Sequence, residues 1–229
     1  MSPDRTISTP PPRGAPSRRS HTAGNATRTR LLDAAEALMA ERGIEGVPLS
    51  EIRNRAGQSN SSAIAYHFGS KDGLVRALVL DRQLRIDEER ARMIDELVRT
   101  GRQHDPRSVV WVVVRPLANT VREGSRYAAF LARLSEQPEV RTRYWPQQIG
   151  SSWNNADLQR LIADSVAHLP ERVRRSRSYQ TTNSVLNLLG EHARTGRNLS
   201  EVRLLSYIDG WVGMLTAPVS TDTAGLLPD

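Results

Sequence analysis

The feature that most constrains this chain is a pair of short helical patterns separated by one glycine, within residues 49–74. In the first pattern Leu49, Ile52 and Ala56 recur at i, i+3 and i+7, which places them on one face of a helix. Gly57 follows directly, and glycine readily turns the backbone with a positive φ after a helix. A helix, a tight turn and a second short helix predict a helix-turn-helix.

The second helix of this motif has an apolar face and a polar face. Ile64 and Phe68 stand at i and i+4, whereas the residues around them are small or polar and can donate hydrogen bonds to phosphates and base edges. We predict that the helix starts at residues 60–62, where Asn60 alone can make a bidentate pair with a base, its natural match being adenine. The predicted DNA contacts of this stretch are Ser59, Asn60, Ser61, Ser62, Tyr66 and His67.

Three runs of sequence carry a resemblance to a known family. LLDAAEALMAERG, EIRNRAG and YHFGSKDGL follow one another in order within about residues 28–80. Together they resemble the DNA-binding domain of the TetR family of bacterial transcriptional regulators. The resemblance implies an all-α fold, with an N-terminal three-helix helix-turn-helix DNA-binding domain followed by a larger helical ligand-binding and dimerisation domain. The predicted segments are a disordered basic arm at 1–26, the DNA-binding domain at 27–82 and the larger helical domain at 83–229.

The start of the next helix supplies a further predicted contact. Gly69 ends the recognition helix and Ser70 caps the following one, which places Lys71 in its first turn. A cation there opposes the helix dipole, an arrangement that suits a docked phosphate. Similarity to the family's Ser-Lys-Asp/Glu motif also implies a phosphate contact by Lys71. The resemblance implies a backbone contact for His67 as well, and a structural role is its alternative.

The sequence departs from the family at two places. Pro48 stands where the family usually has a threonine that caps the helix and touches a phosphate, so we assign that contact to Ser50. The family's tyrosine position is Ala65 here, and Tyr66 stands only two residues before Phe68. One residue is about 100° around a helix. Tyr66 therefore lies on a rotated helix, meets a different phosphate, or packs on the first helix.

Charge is concentrated at the N-terminus. The first 30 residues hold six arginines and one aspartate, a net charge of +5 out of +7 for the whole chain. Residues 31–84 are about neutral, with six basic and seven acidic side chains. The arm, rich in Pro, Ser, Thr and Arg, either tracks DNA phosphates or is a solvated tail. We predict that the first helix runs from about Thr29 to Arg42.

Several classes of protein are disfavoured. Cysteine is absent and the five histidines are scattered, which predicts neither disulfides nor a metal site, and no cofactor is expected. No apolar run reaches membrane-spanning length, so we expect a cytoplasmic protein with no membrane partner. Because the chain has no nucleophile elbow and no phosphate loop, a small all-α enzyme is a remote alternative. A helical adaptor is another.

The C-terminal part is predicted to be helical. The run VVWVVV at 109–114 has strand propensity, but no partner strand is visible, and we predict a helix kinked by Pro116. Further helices are predicted at 124–136, 155–168, 171–195 and 200–216. Aromatic residues and one arginine either line a small-molecule pocket or fill the core. They are Trp111, Arg115, Tyr127, Phe130, Trp145 and Trp153.

The last two long helices resemble half of the family's dimeric four-helix bundle. Gly210 and Gly213 leave a smooth strip on the second of them, where another helix can approach. The predicted dimer interface is Val185, Leu188, Leu189, Leu205, Ile208, Val212 and Leu215. The resulting prediction is a homodimeric repressor that releases a palindromic double-stranded DNA operator when an unknown small-molecule effector binds. A ligand-independent regulator or an activator is the alternative.

Overall fold

A computed structural model describes residues 18–136, 139, 143–144 and 155–227, and every regular element among them is an α-helix. The predicted all-α fold is confirmed, and residues 109–114 are helical. The helices are α1 Arg18–Arg42, α2 Leu49–Arg55, α3 Ala63–Phe68, α4 Lys71–Arg99, α5 Pro106–Arg122, α6 Tyr127–Ser135, α7 Asn155–Asp164, α8 Glu171–Thr195, α9 Glu201–Thr216 and α10 Thr221–Ala224.

Helices α1 to α3 and the start of α4 enclose the first apolar core. Leu31 and Met39 of α1 are fully buried together with Ile52 of α2 and Leu74 of α4. Burying each such side chain stabilises the fold by roughly 1.5–3 kcal/mol. Gly57 has φ 66° and turns the chain between α2 and α3, as its place in the sequence predicted.

Helix α1 begins at Arg18, eleven residues before the predicted start at Thr29. Residues 1–17 of the predicted disordered arm lie outside the described residues, whereas residues 18–26 are helical, which corrects that part of the prediction. The physical reason is that the buried part of α1 nucleates the helix, and each residue then added gains one backbone hydrogen bond. The last proline before the helix is Pro16, so no proline in residues 18–30 interrupts that propagation.

Helix α4 joins the two parts of the chain. Its 29 residues cross the predicted boundary at residue 82 without a break, and at 1.5 Å per residue they span about 44 Å. The first turns pack on α1 and α3, while Ile86, Ile94 and Leu97 are buried farther along, where α4 packs on α5. One continuous helix therefore belongs to both domains.

The C-terminal helices pack around α5, which contacts α4, α6, α7, α8 and α9. Its valines at 109, 110, 112 and 114 are buried. Helix α6 packs closely on α8 at Gly190, where an added Cβ would lie 3.0 Å from the Cβ of Ala132. Because α6 also packs on α1, the predicted C-terminal domain contacts the predicted DNA-binding domain through α6 as well as through α4.

The orientation of α9 differs from the prediction. The cap is confirmed, since Ser200 Oγ accepts a hydrogen bond from the Arg203 amide at 3.3 Å. However, Ile208 and Leu215 are fully buried within the protomer, and so are Val185 and Leu189 of α8 at 6% and 0% exposure. These four side chains are buried within the chain itself, which corrects their assignment to a dimer interface. The physical reason is that α5 and α8 cover this side of α9.

Candidate DNA-binding surface

Helix α3 is short and has one buried and one exposed side. Ala63 and Ile64 are buried, whereas Ala65 and Tyr66 are exposed. Tyr66 is 83% exposed, although a phenol ring normally gains from burial. The exposed side of α3 therefore presents a large ring, which neither α1 nor any other described element covers.

The turn before α3 is built differently from the prediction. The α-helix starts at Ala63, after the predicted start at residues 60–62, and Ser62 makes no capping hydrogen bond through its side chain. Instead the Oδ1 of Asn60 accepts a hydrogen bond from the Ser62 amide at 2.9 Å, and the Asn60 carbonyl accepts one from the Ala63 amide at 3.2 Å. Asparagine side chains often form such local hydrogen bonds in turns. Ser59, Asn60, Ser61 and Ser62 are all exposed.

The rings at the end of α3 form a short series. Tyr66 meets His67 edge to face, with ring centroids 5.0 Å apart, and His67 lies 6.0 Å from Phe68. His67 and Phe68 are half-buried. Of the three alternatives for Tyr66, the exposed ring contradicts packing on α1, whereas a rotated helix and a contact with a different phosphate stay predictions. The His67 ring packs against the Tyr66 ring.

Lys71 is the first residue of α4, as predicted. The cap is also confirmed, because Ser70 Oγ accepts a hydrogen bond from the Gly73 amide at 3.0 Å. Lys71 is half-buried, and its Nζ donates to the carbonyl oxygen of Glu45 at 3.4 Å, in the loop between α1 and α2. This long hydrogen bond holds the ammonium at the helix start, where it can be exchanged for a phosphate oxygen.

Ser50 lies exposed in the first turn of α2. Pro48 is the N-cap residue of α2, one position before the helix, and makes no side-chain cap. The amides of the first turn thus lack a side-chain acceptor from Pro48, which suits an incoming phosphate.

Arg28 is a candidate that the sequence reasoning counted only as part of the charged arm. Its guanidinium lies 5.5 Å from the ring centroid of Phe68, and its Nη1 is 3.6 Å from Asp81. This contact places a cation of α1 against the recognition helix. The signal in the sequence is that Arg28 and Leu31 stand three residues apart, as neighbours on one helix surface. This signal is visible only if the helix begins before Thr29.

A second contact missed by sequence reasoning joins α4 to the C-terminal domain beside Lys71. Asp72 accepts a hydrogen bond from the Tyr144 hydroxyl at 2.7 Å and pairs with Arg143 at 2.5 Å. The hydrogen bond from Tyr144, followed by that from Arg143, lowers the pKa of Asp72. Burial and the Asp72 carboxylate raise the pKa of Tyr144 to about 12. No local pattern could reveal this contact, since its partners are 71 and 72 residues apart.

The four predicted pocket residues that the structure describes do not meet in one cavity. Arg115 stacks over the Trp111 ring at 4.9 Å and pairs with Glu201 at 2.7 Å. Tyr127 and Phe130 stack on each other at 5.9 Å and are buried in the core, as the alternative interpretation had it. Burial raises the pKa of Tyr127 above its ordinary value. Trp145 and Trp153 lie outside the described residues.

The described parts of the chain contain no group of three or more side chains suited to hold a metal ion. They also contain no helix that is both long and apolar enough to span a membrane.

A family model matches part of the chain. Residues 31–78 match the family described as bacterial regulatory proteins, tetR family. No curated protein matches the chain. The matched range covers the buried part of α1, all of α2 and α3, and the first eight residues of α4.

Proposed function

We propose that this chain, a DNA-binding transcriptional regulator of the TetR family, acts as a homodimeric repressor that leaves a palindromic operator when a small molecule binds its C-terminal helices. The observation that carries this proposal is α4, which starts at the recognition helix and ends among the C-terminal helices without a break. A single rigid element of this kind couples the two domains.

On the DNA side, Ser61, Ser62 and Tyr66 form the exposed surface that enters the major groove. Lys71 and Ser50 bind phosphates on either side of it, each at the first turn of a helix. Phosphate contacts fix the position on the duplex, while the side chains of α3 distinguish bases. Two copies bind half-sites about 34–36 Å apart.

The dimer is supported by the outward face of α9. Val202 is 79% exposed, and an added Cβ at Gly210 or Gly213 would meet no described atom within 4 Å. A glycine inside a helix destabilises it by about 1 kcal/mol relative to alanine, and packing within the protomer does not require either glycine. Leu205 and Val212 border this face and are half-buried, as is Leu188 on α8. We assign the face to the partner's α9.

A second connection between the domains is the junction cluster, which we define as Asp33, Glu36, Arg82 and Ser125. Glu36 of α1 is 5% exposed and accepts hydrogen bonds from Arg82 Nε at 2.6 Å and Ser125 Oγ at 2.8 Å. It also accepts one from the Arg126 amide at 2.6 Å, just before α6. A movement of α6 is therefore transmitted to Glu36 of α1 through these hydrogen bonds.

The proposal is tested with DNA from the region upstream of the protein's own gene, by fluorescence anisotropy and analytical ultracentrifugation. We expect a dimer in solution and two protomers on each operator. Lys71→Ala should weaken binding to all sequences alike and lower the salt slope by about one unit per half-site. Arg76→Ala, an exposed cation one turn later on α4, is the matched control. A monomer on DNA would contradict the dimer.

A further inference from the structure

A cavity of about 430 Å³ lies at the far end of α4 from the recognition helix, where α4, α5 and α9 meet. Its walls are mainly apolar and include Met93, Leu97, Trp111, Val112 and Leu205. Cavities of about 300–1,000 Å³ with apolar and aromatic walls are typical of small-molecule sites. The size and the walls fit one compact organic molecule.

The charged side chains in the lining are already neutralised. Glu96 pairs with Arg99 at 2.6 Å, Arg102 lies 3.8 Å from Asp105, and Arg107 pairs with Asp209. An ionised ligand would therefore find no unpaired opposite charge among the described lining residues. Burying a charge against the apolar walls of the cavity is strongly unfavourable, so these walls favour an uncharged molecule.

The two hydroxyl groups in the lining can only accept hydrogen bonds from a ligand. Thr100 Oγ donates its hydrogen to the Glu96 carbonyl at 2.8 Å, and Ser108 Oγ donates to Asp105. Each hydroxyl has one hydrogen to donate, and both hydrogens are already used. A donor of the ligand, such as a phenol O–H or an amine N–H, would therefore find an acceptor at these two hydroxyl groups.

Trp111 is held in place before any ligand arrives. The Arg115 guanidinium lies 4.9 Å from the centroid of its ring, and Glu201 fixes that guanidinium with contacts at 2.7 and 2.9 Å. A fixed indole favours a flat ring, because aromatic pairs gain energy beyond their buried area.

We infer that this cavity binds an uncharged aromatic molecule that carries one hydrogen-bond donor. Its walls come from α4, which leads to the recognition helix, and from α9, which carries the proposed dimer face. A molecule bound in the cavity therefore contacts both α4 and α9. The regulatory consequence rests on the proposed function, whereas binding does not.

Two dyes that share one ring system test the selectivity. N-phenyl-1-naphthylamine is uncharged and has one N–H donor, while 8-anilino-1-naphthalenesulfonate adds a sulfonate. We expect one molecule of the neutral dye per protomer, with a Kd at least about tenfold below that of the sulfonate. Equal affinities would overturn the inference of a neutral ligand.

Matched variants of α4 test the location. Met93→Glu places a carboxylate in the lining, whereas Val98→Glu adds the same charge at a residue that is 55% exposed and not part of the described lining. The first should raise the Kd of the neutral dye at least about tenfold and the second less than about twofold. Met93→Phe, which keeps the wall apolar but narrows the cavity, should also weaken binding and serves if Met93→Glu does not fold. Unchanged binding in Met93→Phe would place the dye elsewhere.

A spectroscopic and a functional measurement complete the test. Energy transfer from tryptophan to the neutral dye should fall by more than about half in Trp111→Phe, and an unchanged transfer would overturn the inference. Operator affinity is then measured with and without the dye. Binding at Trp111 with no change in operator affinity would overturn the release step alone, while absence of binding would overturn the site alone.

Discussion

Two charged clusters lie next to each other on α4 and behave in opposite ways. In the junction cluster, Arg82 donates to Glu36 and Asp33, and burial of the guanidinium is outweighed by these two carboxylates, so the pKa of Arg82 is raised. We define the core cluster as Gln83, Asp87, Arg90 and Tyr127. There Arg90 pairs with Asp87 at 2.7 Å, yet burial lowers the pKa of Arg90 and raises that of Asp87.

The difference lies in how many polar atoms find partners. Glu36 accepts hydrogen bonds from three donors, of which Ser125 and Arg126 lie beyond the predicted domain boundary at residue 82. In the core cluster, Asp87 Oδ2 and Arg90 Nε have no hydrogen-bond partner among the described residues. Desolvation is repaid only where the remaining lone pairs and protons are satisfied. The junction cluster therefore stabilises the contact between domains. The core cluster, in contrast, makes the C-terminal domain less stable than apolar residues of similar volume would.

The largest expected effect comes from breaking the core cluster on one side. Arg90→Met leaves Asp87 buried without its cation and should lower the free energy of unfolding by about 3–5 kcal/mol. The double variant Asp87→Leu/Arg90→Met should recover this loss or exceed the stability of the original chain. Urea unfolding measures both. A single variant as stable as the original chain would contradict the account of the core cluster.

The junction cluster should show a smaller loss. Glu36→Ala leaves the Ser125 hydroxyl and the Arg126 amide without an acceptor, while Arg82 keeps Asp33 and Asp81. We expect a loss of about 2–3 kcal/mol in the same unfolding measurement. Glu41→Ala is the control on the same helix. It breaks an exposed pair with Arg126 and should change stability by less than about 1 kcal/mol.

The pH dependence of stability distinguishes the clusters further. Burial raises the pKa of Asp87 in the folded state. At pH values above the ordinary carboxyl pKa of about 3.9, Asp87 is therefore protonated to a greater extent in the folded state than in the unfolded state. The contribution of Asp87 to the free energy of unfolding should thus fall as the pH rises from there through its folded pKa. Comparing urea midpoints of the original chain and Asp87→Asn across this range isolates the effect. A difference that grows in the opposite direction would show a lowered pKa.

The smallest effects compare one hydroxyl from each cluster. Tyr127→Phe removes a hydrogen bond of 3.3 Å to Gln83 and should cost about 0.5 kcal/mol. Ser125→Ala removes a hydrogen bond of 2.8 Å to the Glu36 carboxylate and should cost about 1.5 kcal/mol. Thermal unfolding of both variants gives the order. The reverse order would remove the distinction between the two clusters.

The parts of the molecule that were predictable depend on local signals. Spacing and caps gave the helix-turn-helix, the turn at Gly57 and the bounds of α8, because these follow from neighbours within four residues. The cap by Ser70 and the place of Lys71 belong to the same class. Helix α5 was predicted from its surroundings, against the strand propensity of its valines.

The remaining parts depend on distant contacts. The buried residues of α9 are Leu204, Ile208, Trp211 and Leu215, and two apolar stripes of this helix share Ile208 and Leu215. Only packing on α5 and α8 decides which stripe is covered. Likewise Glu36 meets Ser125 at a separation of 89 residues, and no spacing rule reaches that far. At Asn60, a turn closed by the hydrogen bond from the Ser62 amide to the Asn60 side chain takes the place of the predicted helix start.

The continuous course of α4 has a mechanical consequence. For a rigid rod about 44 Å long, one degree of tilt at one end displaces the other by about 0.8 Å, so a tilt of five degrees gives about 4 Å. Under the proposed release mechanism, a molecule in the cavity beside Met93 would need to move the surrounding side chains by much less than the start of α4 would be displaced. Leverage of this kind amplifies a small rearrangement, and it also requires α4 to resist bending. Its interior contains no proline and a single glycine at the third position, so the lever is stiff over the length that must transmit the motion.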